Sequence, residues 1–183
     1  AAKPAQGSER RVAFAKRTVA GAAALAAILL AGAAQAALED RDLDGDAVVD
    51  AFYDTELDIT WLRDAYVNGA MNWWNAVAWA NVYTFGGYSD WRLPTSDTCS
   101  GYGCTGSEMG HLWYTELGNP AGGPMTNTGR FLNLLSNDYW TGTDYAPDLN
   151  AAWEFRTNFG HQGPYYKTNL HYAMAVRGGD VPA

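Results

Sequence analysis

Gly86-Gly87-Tyr88-Ser89-Asp90-Trp91-Arg92-Leu93-Pro94-Thr95 brings two glycines, two aromatics, an Asp/Arg pair and a proline into one short stretch. Paired glycines reach backbone angles closed to other residues, and Pro94 fixes its own φ while driving Leu93 toward extended geometry. The stretch therefore predicts a tight turn that delivers a short strand. Trp91 reads as a core residue, and Arg92 is placed to lock with Asp90 as an ion pair or to bond loop carbonyls.

Working outward, residues 50–62 alternate and are rich in Phe, Tyr, Ile, Thr and Trp, which predicts two short strands around a turn near Glu56-Leu57-Asp58. Asn72 is placed to cap a helix over residues 73–82, with Trp73, Val77 and Ala80 on one face and Trp74 and Ala78 beside them. A second helix is predicted over 107–117. There Thr105 and Glu108 have capping-box spacing, Met109, Leu112 and Trp113 form the apolar stripe, and Gly118 supplies the stop. Residues 119–128 read as a Gly/Pro/Asn-rich loop. Three β-prone segments follow at 139–143, 152–156 and 172–177. Two helices early and an antiparallel sheet late make an α+β domain.

The ends of the chain differ from this body. Arg10, Arg11, Lys16 and Arg17 precede an Ala/Leu/Ile run over 19–30, and Ala34-Gln35-Ala36 has the small-x-small pattern of a cleavage site. Residues 1–36 therefore read as a signal peptide of an exported protein. A membrane anchor is the alternative, but the apolar run falls short of the ~20 residues a span requires. Removing residues 1–36 leaves 7 basic and 19 acidic side chains, a balance of −12, with no Lys/Arg cluster. Such a charge argues against nucleic acid and against anionic membrane surfaces. Cys99 and Cys104, the only cysteines, lie within Cys-Ser-Gly-Tyr-Gly-Cys, and in an exported chain a disulfide is the expected state.

Residues 37–50 form an acidic lead-in to the domain at 51–178, and residues 179–183 read as the start of a linker or sorting region. With Asp42 as position 1 of a calcium loop, Asp44, Asp46 and Asp50 fall at positions 3, 5 and 9. Ala47 stands at position 6 instead of Gly, and Tyr53 at position 12 instead of Glu. The alternatives are a Ca²⁺ site built from these four aspartates and a solvated acidic linker.

The opening stretch, together with Tyr53-Asp54-Thr55, Ile59-Thr60-Trp61-Leu62, Ser107-Glu108-Met109-Gly110-His111 and Ala175-Val176-Arg177, resembles a bacterial domain family. That family is typified by the C-terminal domain of the Legionella collagen-like adhesin, and the likeness covers residues 42–180. It implies a C-type-lectin-like fold with long structured loops and distant kinship to formylglycine-generating enzymes, which share an Arg-Leu-Pro-Thr core. In those enzymes paired cysteines near the C-terminus carry the oxidation chemistry. No cysteine follows Cys104 here, so those catalytic residues do not carry over. The typifying adhesin engages sulfated glycosaminoglycans, a ligand that a balance of −12 disfavours. Relatives with a similar polar ending often continue into a Val-Pro-Glu-Pro sorting signal.

No catalytic constellation is legible. Glu108 and His111 have the i, i+3 spacing of di-iron bundles, but those need the motif twice, so His111 reads as a surface or partly packed histidine. No nucleophile elbow, phosphate loop or dinucleotide fingerprint is present. Trp61, Trp79 and Trp113 read as core. The expected ligand surface is the late sheet and its loops: Trp140, Asp144, Tyr145, Asn158, His161, Tyr165 and Tyr166. Rings supply stacking area for a pyranose face while Asp and Asn hold hydroxyls. The plainer reading is that these aromatics plug a loop-rich domain. The expectation is thus a non-enzymatic recognition or matrix module for an extracellular glycan or protein. The alternatives are a calcium-ordered envelope protein and, less favoured, an enzyme on the formylglycine-generating-enzyme-like fold.

Overall fold

Short runs of β-branched and aromatic residues broken by glycine and aspartate give short strands here, with loops between them that carry much of the structure. The computed structural model describes residues 1–2 and 38–181, so the expected signal peptide, apart from its first two residues, lies outside the described residues. The elements run β1 (Leu38–Arg41), β2 (Ala51–Asp54), β3 (Ile59–Leu62), α1 (Trp73–Val82), β4 (Gly101–Tyr102) and α2 (Glu108–His111). A π-helical segment (Leu112–Glu116) continues α2, followed by β5 (Asp138–Asp144), β6 (Ala151–Arg156), β7 (His161–Tyr166) and β8 (Val176–Gly178). The α+β class is as expected, but the strands form two antiparallel sheets, ordered β1-β2-β3-β8 and β4-β7-β6-β5.

The opening stretch joins these sheets. Phe85 and Tyr88 exchange both backbone hydrogen bonds, at 3.0 and 2.9 Å, across Gly86 and Gly87, whose φ values are 56° and 82°. Two positive φ angles are what the turn of a two-residue hairpin requires. A Cβ on Gly86 would stand 2.3 Å from the Leu43 Cβ, so this position tolerates only glycine. Beyond the turn, Arg92 exchanges backbone bonds with Val176 of β8, and the Pro94 carbonyl accepts the Gly142 N–H of β5 at 2.8 Å. Trp91 and Leu93 are buried in separate apolar clusters.

The expected Asp90–Arg92 lock is not formed. Arg92 pairs with Glu108, and Asp90 pairs with Arg177 instead, each in a two-bond fork with a residue brought up by the fold. Asn72 caps α1 as expected, accepting the Asn75 N–H at 3.0 Å. Its buried residues are Trp73, Ala76 and Ala80, whereas Trp74 and Ala78 face solvent and Trp79 is only half-buried. In the second helix Ser107, not Thr105, is the cap, accepting the Gly110 N–H at 3.0 Å, and Glu108 is taken by Arg92.

Several segments differ from the sequence expectation. Part of the acidic lead-in forms β1, paired along β2 from Leu38↔Asp54 to Arg41↔Ala51. Past β8 the chain stays packed: Val181 is buried, and Asp180 takes both Arg41 Nε and Nη2, at 2.6 and 2.9 Å. β7, which carries Gly163 and Pro164, has no strand-like sequence pattern. Of residues 172–177, only Val176 and Arg177 lie in a strand. The main core gathers Phe52, Trp61, Met109, Trp113, Tyr139 and Phe155. Each such aromatic withdraws about 150–250 Å² from water, roughly 4–6 kcal/mol gross. The disulfide Cys99–Cys104 is formed, and the loop it closes presents β4 to β7.

Candidate functional site

Antiparallel pairing of β6 with β7 runs from Arg156↔His161 at the turn to Ala151↔Tyr166 at the open end. At the open end the β5–β6 loop folds over the hairpin, with the Tyr145 N–H bonded to the Ala151 carbonyl at 3.1 Å. Two adjoining clefts result, of about 520 and 550 Å³, sharing Tyr145 and Pro164. Tyr165, Tyr166, Asp148 and Asn169 line the first, while Asp97, Asp144 and Trp153 belong to the second. Tyr166 is 62% exposed and Tyr165 39%. The Tyr145 ring meets Trp153 edge-on at 5.3 Å.

A buried lysine holds this end together. Lys167 Nζ donates to the Asp144 carboxylate and to the Leu149 carbonyl, and lies 4.2 Å above the Trp73 ring. The cation is desolvated and fully engaged, which fixes Asp144 at the rim. The cleft thus offers aromatic faces beside carboxylate and amide oxygens, a surface able to stack on a sugar ring and bond its hydroxyls.

Of the expected ligand residues, Asp144, Tyr145, Tyr165 and Tyr166 meet here. Trp140 does not reach the surface. It is fully buried, its Nε1 donates to the Met71 carbonyl at 2.9 Å, and its ring stacks on His171 at 4.3 Å. The second sheet is packed on both faces here, with Tyr139 in the main core and Trp140 under α1 beside Trp73, Ala76 and Ala80. Asn158 and His161 lie at the turn end of the hairpin, roughly 16 Å along β7 from Tyr166. There His161 packs edge-on against Tyr102.

Asp42, Asp44, Asp46 and Asp50 do converge, with one carboxylate oxygen from each within 4.8 Å of the others, so the cluster has the donors to hold a metal ion. Backbone N–H groups shape the loop: Gly45 and Ala47 donate to Asp42 at 2.7 and 2.8 Å, Val48 to Asp46 at 2.8 Å, and Leu43 to Asp50 at 2.9 Å. The bonds from Ala47 and Gly45 hold the Asp42 carboxyl below the usual range, while desolvation and the neighbouring aspartates push Asp44 up. Ala47 sits at φ 67°, the left-handed conformation that glycine supplies at position 6 of a calcium loop.

Two further His/carboxylate groups were not legible. Glu154 Oε1 accepts Arg156 Nε at 2.6 Å, and Glu154 Oε2 lies 2.7 Å from His171 Nδ1, close but not aligned as a hydrogen bond. Desolvation, with Glu154 adding repulsion, pushes the nearby Asp138 carboxyl up. Arg156 compensates this group internally. The second group is Asp54, His111 and Glu116, all buried, which corrects the expectation of a surface or partly packed His111. Desolvation, and then the Asp54 charge, push the Glu116 carboxyl up against the pull of His111. His111 and Glu116 are five positions apart, a spacing brought together by the π-helical segment, which sequence periodicity does not announce.

Among the described residues no helix is long and apolar enough to cross a membrane. No curated protein matches the sequence. The model of the Lcl C-terminal domain family matches residues 50–177, a span that holds the opening stretch, the disulfide loop and the cleft. The chain therefore belongs to the Lcl C-terminal domain family, an adhesin-associated domain.

Proposed function

We propose that this chain is an exported recognition module that binds a neutral or cationic glycan, or a protein partner, through the Tyr145–Tyr165–Tyr166 cleft. One observation carries the reading: exposed aromatic rings stand beside Asp144, Asp148 and Asn169 at the open end of the β6–β7 hairpin. The disulfide and the adhesin-associated family support an extracytoplasmic setting. The balance of −12 supports a ligand other than nucleic acid, anionic membrane or sulfated glycan. The module recognises without transforming its ligand, a reading supported by the burial of His111 and His171 and by the absence of both from the cleft lining. A glycan array run on the purified protein with and without Ca²⁺ is the test. Binding that disappears in Tyr166→Ala with the fold intact supports the reading, and absence of binding in both conditions overturns its glycan form. Turnover of a bound sugar would replace it with the enzyme reading.

A second reading rests on the acidic loop. Four converging aspartates with a left-handed residue at position 6 suit weak Ca²⁺ binding, about 0.1–1 mM as in extracellular modules, which would order β1 and β2 on either side of the loop. Scanning calorimetry of wild type and Asp44→Asn tests it: a calcium-dependent rise in Tm belongs to the wild type alone.

A further inference from the structure

Asp54 closes β2 with its two carboxylate oxygens in unlike surroundings. Oδ1 accepts the N–H groups of Glu56 and Leu57 at 3.1 and 3.0 Å, which fixes the carboxylate at the β2–β3 turn. Oδ2 is buried, points to His111 Nε2 at 3.7 Å, and has no hydrogen-bond partner among the described residues. A buried oxygen left without a partner in this way is costly.

His111 and Glu116 meet that oxygen from the helical side. In an α-helix, positions five apart diverge by about 140° around the axis, which would turn Glu116 away. The π-helical segment widens the turn, and Glu116 Oε1 lies 3.2 Å from His111 Nε2. Glu56 Oε2 stands 3.7 Å from the same nitrogen, on a half-exposed side chain at the rim. Among the described residues, His111 is the only basic partner that Asp54 and Glu116 share. Three acidic side chains thus surround one imidazole, without the arginine that balances Glu154.

We propose that Asp54, His111 and Glu116 form a buried site for one divalent transition-metal ion of the zinc or manganese class, with Glu56 closing its outer side. The nitrogen-to-oxygen separations of 3.2 and 3.7 Å suit donors that each bond a shared ion at about 2.0–2.2 Å. One imidazole among carboxylates favours a transition metal over Ca²⁺ or Mg²⁺, which prefer all-oxygen shells. An ion here links the β2–β3 turn to the end of the second helix, so its binding contributes to folding.

The test uses the full chain, stripped with a chelator and titrated by calorimetry with Zn²⁺ and Mn²⁺, with Co²⁺ as an optical and paramagnetic probe. One tightly held ion per chain is expected, apart from weak uptake by the acidic loop, with a rise in Tm and Co²⁺-induced shifts of the His111 ring resonances in the wild type. Glu116→Gln, which keeps the side-chain shape, should weaken the ion by roughly tenfold or more. Asp44→Asn, in the acidic loop, should leave it unchanged. The proposal is overturned if the folded, stripped wild type takes up none of the three ions, or if Co²⁺ leaves the His111 resonances unmoved. It is equally overturned if affinity survives Glu116→Gln and falls in Asp44→Asn.

Discussion

Arg92 grips Glu108 with both guanidinium arms, Nη1 to Oε2 at 2.8 Å and Nη2 to Oε1 at 2.7 Å, and Glu108 Oε2 also accepts the Thr95 N–H at 2.6 Å. The pair ties the extended Arg-Leu-Pro-Thr segment to the first turn of α2. A lysine cannot reproduce two parallel bonds, so Arg92→Lys should lose about 1–2 kcal/mol of unfolding free energy in urea titration. Glu108→Gln should lose a similar amount. The double variant should lose less than the two added together, because each single change already breaks the fork. Additive losses would show that the two side chains act independently.

Trp140 and Tyr166 are both aromatics of the second sheet, and they should respond oppositely to truncation. Trp140→Ala empties a fully buried site and should cost about 3–5 kcal/mol, lowering Tm steeply. Tyr166→Ala removes a largely exposed ring and should stay within about 0.5 kcal/mol of wild type while removing ligand binding. A stable Trp140→Ala variant would contradict the packing described above.

Reducing Cys99–Cys104 opens a small loop, and the entropy of so short a closure is worth about 2 kcal/mol. The loss should be local first. Amide exchange should accelerate in Gln162 and His161, which β4 covers, before it rises in β6. Uniform acceleration across both sheets would rule out local opening.

Acid should loosen the region where β1 meets the residues that follow β8. Arg177 holds the Asp90 carboxyl below its usual range, and Arg41 does the same for Asp180. Both groups are more acidic folded than unfolded. The stability they contribute is therefore present above the ordinary carboxylate range, near pH 4, and is lost as pH falls through the folded values. Both carboxylates are substantially exposed, which keeps each pair to about 0.5 kcal/mol. Asp90→Asn combined with Asp180→Asn should therefore lower Tm at pH 7 and flatten its fall toward pH 3.

Local chemistry was readable from the sequence, and partnerships between distant segments were not. The Asn72 cap, the β2–β3 hairpin and the Gly86-Gly87 turn each follow from residues within a few positions of one another. The disulfide followed from compartment and spacing. Arg92 found Glu108 instead of the nearer Asp90, a choice made by tertiary packing. β1 stayed hidden because Leu38–Arg41 is three-quarters polar and acquires its strand only by pairing with β2. In the cleft, Asp144, Tyr145, Tyr165 and Tyr166 were legible from composition. Trp140 was misplaced because α1 covers its face of the sheet, a long-range packing that the residue pattern does not show. The meeting of Asp54 with His111 and Glu116 was unreadable, since it needs both a hairpin end and a π turn.

The stretch from Trp91 to Thr95 also sets how the domain bears tension. The cleft belongs to the second sheet, while the ends of the described domain are clasped at the first, through Arg41 and Asp180. A pull between the cleft and the Arg41–Asp180 clasp crosses from one sheet to the other. One direct backbone route is the bond from Gly142 to Pro94, then along the segment to the paired bonds of Arg92 with Val176. The Arg92–Val176 pair is a single bridge, braced beside it by the Arg92–Glu108 fork. The segment that defines the fold is also a seam between its two sheets.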